Sequence, residues 1–116
     1  MAEALDFSNN SVLEIIDYFN FLHTHTSLFV PGEDKDDYYC GITSENEKTN
    51  TLERHQIESF LAIVNTGSQT VAAEVEEELG KEGFDIGEVD HGGNGGNEDS
   101  ILVYMFKKTR DTVPSI

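Results

Sequence analysis

One segment, Ser68 to Gly83, restricts the fold more than any other. It reads SQTVAAEVEEELGKEG. Val71, Ala72, Val75 and Leu79 recur at helical spacing and form one apolar stripe. Glu74, Glu77, Glu78 and Lys81 fall toward the other side. Ser68 can accept from the first unpaired N–H groups of a helix. Gly83 suits the left-handed residue after the last turn, with Phe84 as the apolar residue behind it. An amphipathic helix over Ser68–Glu82 needs an apolar layer to cover, and the flanking segments supply one as strands.

The flanking elements follow from local signals. Ser11 with Glu14 is a capping box, and Val12, Ile15, Ile16 and Phe19 share one helical face, giving a helix to about Leu22. Thr26–Val30 reads as a strand stopped by Pro31, and Tyr38–Thr43 as its hairpin partner. Asn50 with Glu53 caps a short helix, Thr51 to about Gln56. Ser59–Asn65 reads as a strand buried on both faces, and Ser100–Phe106 as a strong closing strand. The order is α-β-β-α-β-α-β. The fold class expected is α/β (α+β), a small, mainly antiparallel sheet of about four strands with flanking helices, in a single domain spanning 1–116. The expected core is Ile15, Ile16, Phe19, Phe29, Tyr39, Ile42, Phe60, Leu61, Ile63, Val71, Val75, Leu79, Leu102, Val103 and Tyr104.

Charge sets the function class. There are 23 acids against 7 bases, a net of −16. Between Glu74 and Asp99 there are ten acids and a single base, Lys81. Nucleic-acid binders neutralise phosphates with Lys and Arg, so this surface repels nucleic acid at long range. It attracts a basic protein surface instead. No apolar run approaches the length of a membrane span. The first residues, MAEALDFSNN, carry acids where a secretory signal carries bases. The single cysteine, Cys40, suits a reducing cytoplasm.

The stretch Asp37-Tyr38-Tyr39-Cys40-Gly41-Ile42-Thr43 carries a second reading. Its Tyr-x-Gly-x-Thr pattern is followed by Arg54 and His55, and later by Ala72, Glu76 and Leu79 on one helix. This resembles a diverged GIY-YIG nuclease domain over roughly half the chain. The resemblance implies a ββαβα core from Thr26 to Glu82 and metal-dependent cleavage of a phosphodiester. Under it Tyr39 would help activate water, Arg54 would stabilise developing phosphate charge, and Glu76 would hold magnesium or manganese. No Gly-Ile-Tyr precedes Tyr38.

Other motifs carry less. His23 and His25 with His55, His91 and Cys40 offer zinc ligands, in spacings unlike a closed zinc motif. The loop Asp90–Asp99, rich in Gly and Asn, lacks the Gly-Lys-Ser/Thr of a phosphate loop and reads as an acidic loop tip. Cys40 lies in an apolar strand and reads as an inert thiol.

Two functional expectations follow. The first is a small acidic non-enzymatic binding protein, similar in composition to acidic phage-encoded inhibitors of the anti-restriction and anti-CRISPR kind. Its partner is the basic surface of a nucleic-acid-binding protein, and its contact carboxylates are Glu74, Glu77, Glu78, Asp90, Glu98 and Asp99. It needs no cofactor, membrane or direct nucleic-acid contact. The second is the diverged nuclease with Tyr39, Arg54 and Glu76.

Overall fold

A computed structural model describes residues 4–27, 35–86 and 100–108, and the side chains within these except those of 25–27. The fold is mixed α+β. A four-stranded sheet is built from β1 (Leu5–Asp6), β2 (Tyr38–Thr43), β3 (Ala62–Asn65) and β4 (Leu102–Lys107). Its spatial order is β1-β3-β4-β2. β4 pairs antiparallel with β2 and β3, while β1 runs parallel to β3. Three helices flank it: α1 (Val12–Ser27), α2 (Lys48–His55) and α3 (Gln69–Glu82). No described helix is long and apolar enough to cross a membrane.

Strand alternation sorts the apolar residues onto two faces. One face carries Tyr38, Cys40, Val64, Val103 and Met105, and packs against Ile15, Ile16 and Phe19 of α1 and Ala72, Val75 and Leu79 of α3. The other carries Tyr39, Ile63, Leu102, Tyr104 and Phe106, joined by Ile57 and Phe60. α2 covers this second face through His55, whose ring lies 5.1 Å from Tyr39 and 4.8 Å from Phe106.

The local helix signals are realised atom by atom. Ser11 N–H donates to Glu14 Oε1 (2.9 Å) and Glu14 N–H donates to Ser11 Oγ (3.2 Å), a closed capping box. Val71 N–H donates to Ser68 Oγ (3.1 Å) at the start of α3. Gly83 ends it at φ 111°, and Phe84 N–H donates to Leu79 O (3.1 Å).

Several elements differ from the sequence reading: among the described residues the order opens on β1, and β4 runs Leu102–Lys107 in place of Ser100–Phe106. α1 continues to Ser27, so Thr26 and Ser27 are helical; Leu28–Val30 lie outside the described residues. The extra turns are held by tertiary contact, His23 meeting Tyr38 and Phe84 edge-on at 5.5 and 6.0 Å. The partners of β2 come from far along the chain. Beyond β4, Cys40 N–H donates to Asp85 O (2.8 Å) and Asp85 N–H donates to Tyr38 O (3.0 Å). α2 starts at Lys48, placing Asn50 inside it, where its Nδ2 donates to Glu47 Oε2 (3.2 Å). β3 starts at Ala62, because Phe60 leaves the strand line to pack on Tyr104 at 4.7 Å.

Ten of the expected core residues are buried, and Ile42, Phe60 and Val71 are partly so, packed against the two clusters. Leu61 is 45% exposed, since it sits in the bend ahead of β3. Phe29 lies outside the described residues.

Candidate functional site

α3 presents the acidic surface. Ala72, Val75 and Leu79 turn inward, which directs Glu74 and Glu77 fully outward and leaves Glu78 half-buried. Lys81 is the lone base of the helix. Its Nζ lies 3.1 Å from Glu78 Oε1 and 3.8 Å from Glu77 Oε1, and these partners raise its pKa. Glu82 is drawn aside, accepting from Asn20 Nδ2 (3.0 Å) and Lys35 Nζ (3.4 Å), which holds its carboxyl below the usual range. Glu74 and Glu78 stand one turn apart with like charge, a repulsion of about 0.2–0.5 kcal/mol in a helix. Asp90, Glu98 and Asp99 lie outside the described residues.

The residues of the nuclease-like pattern occupy the sheet and both helical layers. Tyr39 is buried on the α2 side. Burial, first, and then the negative charges of Glu76 and Asp85 push its hydroxyl up to about 12, while Arg54 pulls it down. Arg54 is exposed on α2, its Nη2 donating to Thr51 Oγ1 (3.3 Å). It lines an open depression with Glu47, Asn50 and Glu53. Glu76 sits on α3, in the layer on the opposite face of the sheet. Its Oε2 is buried with no hydrogen-bond partner, and burial raises the carboxyl to about 7.

A polar pair that the sequence reading did not select lies beside Tyr39. His55 Nε2 and Tyr104 Oη are 2.6 Å apart, and both residues are buried. Burial, first, raises the Tyr104 hydroxyl well above its ordinary range. Gly41 stands opposite Tyr104 in the β2–β4 register. A Cβ at Gly41 would lie 2.6 Å from Tyr104 Oη and 2.7 Å from its Cζ, so the ring occupies the space that a side chain would take. The glycine of DYYCGIT is thus required by close approach of the neighbouring strand. Only the register of two strands sixty residues apart brings His55, Gly41 and Tyr104 together; no local spacing announces it.

Of the candidate zinc ligands, His91 and the side chain of His25 lie outside the described residues, and the others separate. His55 faces the α2 side, whereas Cys40 faces α1 and α3, and His23 lies against Tyr38 and Phe84. Burial, followed by Glu76 and Asp85, raises the Cys40 thiol well above its ordinary value, which leaves it protonated and unreactive. No group of three or more His, Cys, Asp or Glu side chains suited to a metal ion occurs among the described residues. Compared with protein-family models, curated proteins and solved structures, the chain finds no match in any of the three.

Proposed function

We propose that this is a small acidic binding protein that inhibits a nucleic-acid-binding protein by occupying its basic surface, as a nucleic-acid mimic of the anti-restriction or anti-CRISPR type. The observation that carries this reading is the outer side of α3. Glu74, Glu77 and Glu78 are held on a helix capped at both ends, with one lysine among them. A rigid row of carboxylates loses little conformational freedom on binding and steers a cationic surface toward it. Net charge of −16 adds long-range attraction. Asp90, Glu98 and Asp99 extend the contact in this reading. The working compartment is the cytoplasm, in keeping with the lone buried thiol.

The test is retention of partners from native-host lysate on the immobilised protein, at low and high salt. A nucleic-acid-binding protein should be retained at low salt and released at high salt. It should be lost from the variant Glu74→Lys/Glu77→Lys/Glu78→Lys. Equal retention on the variant overturns the reading.

A second reading, the diverged nuclease, rests on the sequence pattern of Tyr39, Arg54 and Glu76, with Tyr39 and Arg54 on the α2 side of the sheet and Glu76 on the α3 side. Under it a magnesium or manganese ion would rest on Glu76, which does not fit as it stands: its Oε2 is buried, and no group of three or more ligating side chains suited to a metal occurs among the described residues. Arg54, exposed on α2, would take a phosphate oxygen pair, and Tyr39 would assist the attacking water. Cleavage of single- and double-stranded DNA and RNA with either ion, lost in both Arg54→Ala and Glu76→Ala, would establish it. Absence of cutting, or cutting that survives both substitutions, removes it.

A further inference from the structure

Arg54 stands apart from the paired lysines. Lys35, Lys48, Lys81 and Lys108 each hold a carboxylate, at 3.4, 2.8, 3.1 and 2.8 Å. Arg54, in a chain with 23 acids, forms no ion pair among the described residues. Its Nη2 donates to Thr51 Oγ1 (3.3 Å), and Thr51 Oγ1 lies 2.8 Å from Thr43 Oγ1. Both threonines are buried, Thr51 at 1% and Thr43 at 4% exposure. A guanidinium is a planar fork of N–H donors, so one bond to a fixed hydroxyl orients it and leaves most of its donors open. The depression beside it has a volume of about 380 Å³. That lies within the range of small-molecule sites, roughly 300–1,000 Å³.

The rest of the lining has the opposite character. Glu47, Asn50 and Arg54 recur at i, i+3 and i+7, on one helical face, and Glu53 borders it. Asn50 Nδ2 donates to Glu47 Oε2 (3.2 Å), which holds these two side chains together. Glu47 Oε1, Asn50 Oδ1 and the Glu53 carboxylate accept no hydrogen bond among the described residues. An ammonium has the donors to meet all of them. A bare anion such as phosphate meets the fork of Arg54 but is repelled by Glu47 and Glu53. A simple cation meets the carboxylates but is repelled by Arg54. Only a ligand that carries both charges satisfies the whole lining. We infer that this depression binds a small zwitterion of dipeptide size, its carboxylate on the Arg54 guanidinium and its ammonium among Glu47, Asn50 and Glu53. The size follows from the helix. Asn50 and Arg54 are about 6 Å apart along the axis, and the charged ends of an extended dipeptide are about 7 Å apart. The site stands on α2, across the sheet from α3, and does not rest on the acidic-surface reading.

Titration of the isotope-labelled full chain, followed by amide chemical shifts in nuclear magnetic resonance, provides the test. Glycylglycine carries both charges. N-acetylglycylglycine keeps only the carboxylate, glycylglycine amide keeps only the ammonium, and inorganic phosphate is a bare anion. Glycylglycine should give saturable shifts at Asn50, Glu53 and Arg54. The other three probes should bind about tenfold more weakly or less, since each lacks one of the two charges. Arg54→Gln should weaken glycylglycine binding by about tenfold and leave the weak binding of glycylglycine amide no lower, because that probe has no carboxylate to lose. Glu53→Gln should weaken glycylglycine by a similar factor and leave N-acetylglycylglycine no weaker. Both positions are exposed, and an unaltered spectrum away from α2 reports that the variants fold. Absence of saturable shifts on α2, equal affinity for glycylglycine and either of its singly charged forms, or binding unchanged by Arg54→Gln overturns the inference. Tighter binding of phosphate than of glycylglycine also overturns it and assigns Arg54 to a phosphate instead.

Discussion

Replacing Glu76 by glutamine tests the electrostatics of the core directly. Glu76 sits four residues after Ala72, at the margin of the buried stripe of α3, with Oε2 out of water and without a partner. Burial raises its carboxyl from the ordinary 4.5 to about 7. The folded chain therefore holds this proton to higher pH than the unfolded chain does. The stability linked to the proton is fully present below about 4.5 and is lost as pH rises through about 7. A displacement of that size corresponds to about 3 kcal/mol at most. Partial contact with water screens the group and brings the figure to about 1–2 kcal/mol. Glu76→Gln removes the titration and keeps the shape. At pH 8 it should stabilise the fold by about 1–2 kcal/mol, raising the thermal midpoint by about 4–8 °C. At pH 4 the difference should shrink toward zero. Thermal unfolding of both proteins across this pH range reads the effect. If Glu76→Gln destabilises at pH 8 and not at pH 4, the carboxylate is charged and paired in the native protein, and the burial argument is wrong.

Two further substitutions probe packing and capping. Gly41→Ala should push Tyr104 off the strand and break its bond to His55, costing about 1–3 kcal/mol in urea unfolding; an unchanged midpoint would show that the ring moves freely. Ser68→Ala removes the bond to Val71 N–H and should cost about 1 kcal/mol, whereas Ser68→Asp should retain the stability, by the same measurement.

The sequence announces what depends on neighbours in the chain. Ser11 with Glu14, and Ser68 with Gly83, mark helix ends through bonds spanning three or four residues, and both are found. The run Leu102–Phe106 reads as a strand because continuous burial demands it. What depends on distant partners is not legible. Leu5–Asp6 is too short to be a strand alone and becomes one only by pairing with Val64 and Asn65. Residues 23–27 carry weak helix signals, and α1 extends through them where His23 packs on Tyr38 and Phe84. The site divides in the same way. The exposure of Glu74 and Glu77 and the half-burial of Glu76 follow from the stripe of α3. The pairing of His55 with Tyr104 and the close approach over Gly41 follow from strand register, which local patterns do not carry.

The central claim is that the carboxylates of α3 stand where a nucleic acid would stand on the partner. The most direct measurement is competition: titrating this protein into a preformed complex of the retained partner with its nucleic acid, followed by anisotropy of the labelled nucleic acid. The account predicts full displacement by the native chain and at least tenfold weaker displacement by Glu74→Lys/Glu77→Lys/Glu78→Lys, a loss of about 1.4 kcal/mol or more. A ternary complex, in which the partner holds the protein and the nucleic acid together, would contradict it.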